Sequence, residues 1–233
     1  MTYKTLSFHE LAITPDDVFR QMGYDNAIPS PDVAAEVGRL LQQAAAVARP
    51  QYAFRVLPGL PDAAGTVAVQ PADGSRGTTL QVGAVIARQL RDSEAFAVFV
   101  ATAGMEFESW RHIDDPLQAY VADAIGSVVA EKCADRMEAG LQAAIDKLGW
   151  KHTNRFSPGY CGWNVAQQQL LFGLFDKPEP CGIRLNASSL MVPVKSVSGI
   201  IGLGTAVSRR DYVCALCNLP HCFKRKNQKA QQA

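Results

Sequence analysis

Long apolar runs, an excess of charge of either sign and any grouping of histidines are missing from this 233-residue chain, and each absence removes a class of function. No apolar stretch approaches eighteen residues, so no segment reads as a membrane-spanning helix. Lysine and arginine number 23 against 22 acids, a net charge of +1, which gives no global field toward nucleic acid or an anionic membrane surface. His9, His112, His152 and His221 are scattered, and no Ser-His-Asp or paired-carboxylate arrangement can be traced, so no residue reads as a nucleophile or general base. Met1 to Thr5 begins no secretory signal, which predicts a cytoplasmic protein whose six cysteines are reduced or metal-bound. What is present is a composition 48% hydrophobic and 19% charged, enough to bury a core as one domain with or without an appendage. Disorder and coiled coil are not indicated.

Helices and strands alternate along the chain. Thr14-Pro15-Asp16-Asp17 and Ser30-Pro31-Asp32 each place a capping hydroxyl before a proline at the first helical position. The first of these helices ends near Gly23; the second carries Val33, Val37, Leu40, Leu41 and Ala44 on one face. Tyr52 to Leu57 reads as a strand stopped by Pro58-Gly59, and Pro61 to Gly77 as a surface hairpin around Thr66 to Val69. Thr78 to Val82 is a further strand and Gly83 to Arg91 a helix. Ala95 to Thr102 is continuously apolar, the mark of a central strand covered on both faces. The longest helix spans about Leu117 to Leu148, with Val121, Ile125, Val128, Val129, Cys133, Met137, Leu141, Ile145 and Leu148 on a stripe that winds around it and so must meet more than one layer. Glu131 lies on this helix and reads as an exposed position. Trp163, Ala166, Leu170, Leu171, Leu174 and Phe175 form a helical packing run, and Met191 to Leu203 a last strand or strand pair.

The chemistry concentrates in Arg155-Phe156-Ser157-Pro158-Gly159-Tyr160-Cys161-Gly162-Trp163. Pro158 fixes φ and holds Ser157 extended, while Gly159 lets the main chain turn or approach a ligand closely. Arg155 can grip a carboxylate bidentately, and Tyr160 can stack or hydrogen-bond. Such a cluster suits a small ligand with a carboxylate and a planar ring; an ordinary Pro-Gly turn beside a surface arginine has the same local sequence.

Arg155, Pro158, Gly159 and Tyr160 resemble the Arg-x-x-Pro-Gly-Tyr motif of the S-adenosylmethionine-binding activation domain of cobalamin-dependent methionine synthase. Gly182-Ile183-Arg184-Leu185-Asn186 through Pro193, followed by Ser196-Val197-Ser198-Gly199, looks like that family's second signature. The resemblance implies an α+β fold, a bent antiparallel sheet clasped by helices. It implies a ligand site of Glu131, Arg155, Pro158, Gly159, Tyr160, Cys161, Ser196 and Ser198, with Glu131 facing the amino group or sulfonium of S-adenosylmethionine and Arg155 its carboxylate. It also implies a role in which the methyl donor is presented for reductive activation of a cobalamin carried by a partner. The partners so implied are a corrinoid protein and its methyltransferase, with an electron donor such as flavodoxin or ferredoxin, and neither nucleic acid nor membrane. The homocysteine, folate and cobalamin modules of a full synthase are not seen, nor is an Asp-x-His-x-x-Gly element, so the chain resembles a free-standing version. Residues 1–205 form the activation-domain-like unit and 206–233 a basic, Cys-rich tail.

In that tail Cys214, Cys217 and Cys222 have the spacing of metal ligands, with His221 or Cys161 as a fourth, and zinc or an Fe–S cluster is the expected occupant. A redox dithiol or free thiols remain the alternative there. The second functional possibility is a metal- or Fe–S-binding accessory protein of a corrinoid methyl-transfer system that binds no methyl donor; Arg155 together with Tyr160 argues for the first.

Overall fold

In the computed structural model, which describes residues 1–25, 27–70 and 77–210, the chain runs β1 (Thr2–Thr5), α1 (Pro15–Gln21), α2 (Pro31–Val47), β2 (Gln51–Pro61), β3 (Thr66–Val69), β4 (Thr78–Gln81), α3 (Ala84–Leu90), β5 (Ala95–Thr102) and α4 (Met105–Trp110). It continues through α5 (Pro116–Ile145), β6 (Lys151–His152), α6 (Gln168–Phe172), β7 (Arg184–Leu185), β8 (Met191–Val192) and β9 (Ser196–Gly204), with one-turn 3-10 helices at Phe8–Leu11, Asp146–Leu148, Val165–Gln167 and Pro180–Gly182. The main sheet has the order β4-β3-β2-β5-β9-β6, β1 also pairing with β2, and every pairing in it is antiparallel. The fold is α+β, as the sequence resemblance implies.

β5 sits at the centre because all eight of its residues are apolar or small enough to be buried on either face. Ala95, Ala97, Phe99 and Ala101 join a core with α1, α2 and α5, whereas Phe96, Val98 and Val100 join a second core with α3, α6 and Trp163. The period-two alternation of a strand thus makes one eight-residue run serve two hydrophobic layers. α5 supplies the first layer with Val121, Ile125, Val129, Cys133, Met137 and Leu141 and touches both the sheet and α1 and α2, as its winding stripe requires. Leu148 is an exception: α5 ends at Ile145, and Leu148 is 60% exposed in the 3-10 turn that follows.

Two further expectations are corrected. Pro58-Gly59 does not stop β2, which runs on to Pro61, because β5 ceases to pair at Pro58 and β3 begins to pair at Gly59. A missing N–H costs least where one ladder ends, and Gly59 lets the β3 carbonyl of Ala68 and the ring of Phe96 approach where a Cβ would collide. The run from Trp163 to Phe175 is a 3-10 turn followed by a five-residue helix, so Ala166 and Leu170 face solvent while Gln168, Leu171, Phe172, Leu174 and Phe175 are buried. Tighter 3-10 winding shifts which positions share a face. No described helix is long and apolar enough to cross a membrane.

The predicted caps are in place and one of them gives a pH signature. Thr14 Oγ1 accepts from Asp17 N–H while the Asp17 carboxylate accepts from the Thr14 backbone N–H at 2.9 Å, a capping box. The same carboxylate pairs with Arg20 at 2.7 Å and with Lys132 of α5 at 3.2 Å, tying α1 to the long helix. Burial pushes the Asp17 pKa up, but the Thr14, Lys132 and Arg20 hydrogen bonds outweigh it and bring the group down from 3.8 to about 2. A depressed carboxyl stabilises the fold above its unfolded pKa and loses that contribution as pH falls through the folded one. Asp17→Asn should therefore cost about 1–2 kcal/mol at pH 7, shrinking steadily between pH 4 and pH 2. Urea denaturation across that range checks it, and a cost independent of pH would show that the carboxylate charge is irrelevant.

Candidate functional site

The segment after α5 lies along β9. His152 pairs with Leu203, Thr153 N–H donates to Gly202 O at 2.9 Å, and Phe156 exchanges both backbone hydrogen bonds with Ile200. Gly199 permits this closeness, since a Cβ there would fall on the carbonyl oxygen of Phe156. Phe156 turns into the second core, and its neighbour Arg155 turns to the opposite face, onto α5. There the guanidinium meets three carboxylates on successive turns: Nη2 lies 2.9 Å from Asp135 and 3.3 Å from Glu131, and Nη1 lies 3.6 Å from Glu138. Residues 131, 135 and 138 follow the i, i+4, i+7 spacing that puts them on one helix face. Glu131 and Asp135 are more than half exposed, whereas Glu138 is 6% exposed and Arg155 19%. Glu138 also faces Arg209 at 3.0 Å and His152 at 3.5 Å.

Beyond Arg155 the chain crosses the sheet edge in a tight turn. Tyr160 N–H donates to Ser157 O, Gly159 N–H donates to Trp163 O at 2.7 Å and Trp163 N–H donates to Tyr160 O at 2.9 Å. Trp163 anchors the turn in the second core and Pro158 is buried too, while Gly159, Tyr160 and Gly162 are exposed and Cys161 is half-buried. Gly159 at φ 94°, Cys161 at φ 53° and Gly162 at φ 83° hold left-handed or glycine-only conformations, and at both glycines a Cβ would meet only open space. This exposed main chain beside a 53% exposed tyrosine ring is chemically suited to a flat, polar ligand.

The second signature sits next to the first by register. Ser198 is two residues along β9 from Ile200, the partner of Phe156. Its hydroxyl is buried and donates to Gln168 Oε1 at 2.9 Å, and Gln168 in turn donates to Ser189 O at 2.9 Å, so Ser198 fixes β9 to α6. Ser196 Oγ–H donates to Pro193 O at 2.8 Å and lies 2.9 Å from Thr102 Oγ1. The structure therefore brings Glu131 and Arg155 together on the α5 face, holds the turn from Pro158 to Cys161 by Trp163 in the second core, and ties Ser196 to Pro193 and Thr102 and Ser198 to Gln168. Cys214, Cys217, Cys222 and His221 lie outside the described residues, among which no group of three or more metal-ligating side chains is found. Sequence reasoning missed Asp135, Glu138 and Arg209. The helical spacing of the first two with Glu131 was a usable signal; Arg209 had none.

An open groove over β2, β3 and β4 does not compete with this site, since among the described residues Glu94 is the one ionisable group in its wall and accepts from Thr205 N–H at 2.7 Å.

Residues 83–213, more than half of the chain, match the family model described as vitamin B12 dependent methionine synthase, activation domain. The fold is similar to the crystal structure of the MetH reactivation domain bound to AdoHcy, with a TM-score of 0.67 and 13% identity, over 91% of this chain and 80% of that one. No curated protein matches the sequence.

Proposed function

The chain belongs to the activation-domain family of vitamin B12 dependent methionine synthase, and on that premise we propose that it binds S-adenosylmethionine at the Arg155–Cys161 edge and presents the methyl group to a corrinoid partner. The observation that carries the reading is Arg155 set among Glu131 and Asp135, a few residues ahead of a turn whose Gly159 and Tyr160 are exposed. An α-amino acid end group brings one carboxylate and one ammonium. The carboxylate exchanges for Asp135 and Glu131 on the outer side of the guanidinium, and the released carboxylates then face the ammonium and sulfonium. The exposed backbone at Gly159 and Gly162 and the Tyr160 ring offer the adenine hydrogen-bonding and stacking partners. That the AdoHcy-bound reactivation domain shares this fold is consistent with such a ligand.

The protein's own contribution on this reading is orientation. S-adenosylmethionine supplies a methyl cation equivalent to reduced cobalt and leaves as the thioether, after a separate one-electron donor such as flavodoxin or ferredoxin has reduced Co(II) to Co(I). Holding donor and acceptor in line makes the encounter effectively unimolecular. Residues 1–205 are proposed as the domain that does this and 206–233 as a tail whose first residues, through Arg210, still pack on that domain; the zinc, Fe–S or thiol state of its Cys214, Cys217 and Cys222 is a separate matter. Mixed with a Co(II) corrinoid protein, the donor and a strong reductant, the protein should generate methylcobalamin by its absorbance change. The same rate without this protein, or donor turnover at that rate without any corrinoid, would refute the role.

One observation favours a second reading. Arg155 is already ion-paired within the protein and Ser198 is buried, as in an accessory protein whose pocket has ceased to bind donor. Calorimetry with S-adenosylmethionine separates the two: heat of binding supports the first, and none at millimolar ligand leaves the second.

A further inference from the structure

Glu138 is the shared buried member of three of the contacts described above, those to Arg155, Arg209 and His152. Glu138 is 6% exposed on α5, and its two oxygens are divided: Oε1 lies 3.0 Å from Arg209 Nη1, and Oε2 lies 3.6 Å from Arg155 Nη1. Glu138 Oε1 and Arg155 Nη1 are both buried, and neither makes a hydrogen bond of good geometry among the described residues. These contacts therefore act through charge, and nothing directional fixes how Glu138 shares itself between the two arginines. The backbone around Arg209 is held independently of this pair. Asn154, adjacent to Arg155, donates from Nδ2 to Arg210 O at 2.8 Å and accepts at Oδ1 from Arg210 N–H at 2.9 Å, and Thr205 is tied to Glu94. Val207 is buried between these two fixed points.

Resting on the donor-binding reading, we infer that Glu138 is a positioning residue for Arg155, and that Arg209 sets its strength, so that the segment leading out of β9 is part of the ligand site. With Arg209 present, the buried carboxylate is balanced from two sides and Arg155 is steadied from behind while its outer Nη2 stays exchangeable. Without Arg209, Glu138 keeps Arg155 as its sole strong cationic partner among the described residues. A buried charge that loses one counter-ion bears more heavily on the other. The guanidinium is then drawn inward and competes less well for a ligand carboxylate. Arg209 is 64% exposed, so replacing it threatens no core packing.

The test is a double-mutant cycle read by calorimetry with S-adenosylmethionine. Arg209→Ala should weaken binding roughly three- to tenfold in the wild-type background and less than about twofold in a Glu138→Gln background. Arg209→Lys, which keeps the charge, should restore affinity to within about twofold of wild type. Equal losses in both backgrounds, or wild-type affinity in Arg209→Ala, would overturn the inference while leaving donor binding intact. Wild-type protein that binds no donor would overturn the functional reading and this role with it. Should Glu138→Gln fail to fold, Arg209→Glu decides: a charge effect must weaken binding beyond Arg209→Ala, and equal affinities of the two would refute it.

Discussion

Arg155→Ala is expected to weaken S-adenosylmethionine binding roughly ten- to a hundredfold, because a charge-assisted hydrogen bond to a ligand carboxylate is worth about 1.5–3 kcal/mol. The structure sharpens the expectation in one respect. Arg155 does not wait as a bare cation; it is paired with Asp135 at 2.9 Å and Glu131 at 3.3 Å, pairs that the proposed ligand would have to displace. Part of the gross attraction is offset by those lost pairs, although both are solvent-exposed and thus weak. Removing the arginine also leaves three carboxylates facing one another around Glu138, which repel the incoming carboxylate. Arg155→Lys should recover little, since a point charge cannot hold a carboxylate with two parallel donors. Calorimetry on the folded variants checks this, and unchanged affinity in Arg155→Ala would place the ligand elsewhere.

How far these features could be read from sequence depended on whether they follow from local periodicity. β5 was legible because eight successive apolar or small residues leave no polar face, and burial on both sides is the single outcome that accommodates them. The caps at Thr14 and Ser30 were legible because hydroxyl, proline and acid each have one favoured place at a helix start. The run from Trp163 to Phe175 was misread because one 3-10 turn changes the angle per residue, and composition does not announce that change. The glycines of β9 illustrate another limit. Gly199 and Gly202 abut Phe156 and Ser93, residues far away in sequence, so their need for a missing Cβ arises only once the sheet is assembled. In the site, the turn was visible through Pro158 and Gly159. The placement of Arg155 against Asp135 and Glu138 was not, because it depends on β9 carrying residues 151–156 past α5. Arg209 reaches Glu138 through a segment with no regular structure to give it a period.

The largest stability effect is expected at Trp163, where the turn meets the core. Its indole is 1% exposed in the cluster that also contains Ile86, Leu90, Leu171 and Phe172, and its backbone closes the turn through Gly159 and Tyr160. Trp163→Ala should cost about 3–5 kcal/mol, the range for emptying a buried aromatic site that can only partly collapse. Nε1 is buried without a hydrogen-bond partner among the described residues, a group that ordinarily costs about 1–3 kcal/mol to leave unsatisfied. Trp163→Phe removes that N–H together with only part of the ring, so the two changes oppose each other and the net cost should stay near 1 kcal/mol. Urea denaturation of the two variants against wild type gives both numbers. Because the anchor fixes a turn whose exposed side is the proposed ligand edge, folded Trp163→Ala should also bind donor more weakly, whereas Trp163→Phe should bind as wild type does. Equal costs for alanine and phenylalanine would mean that the indole N–H is satisfied and the balance assigned to it is wrong. A cost below about 1 kcal/mol for alanine would mean that the ring is not the anchor at all.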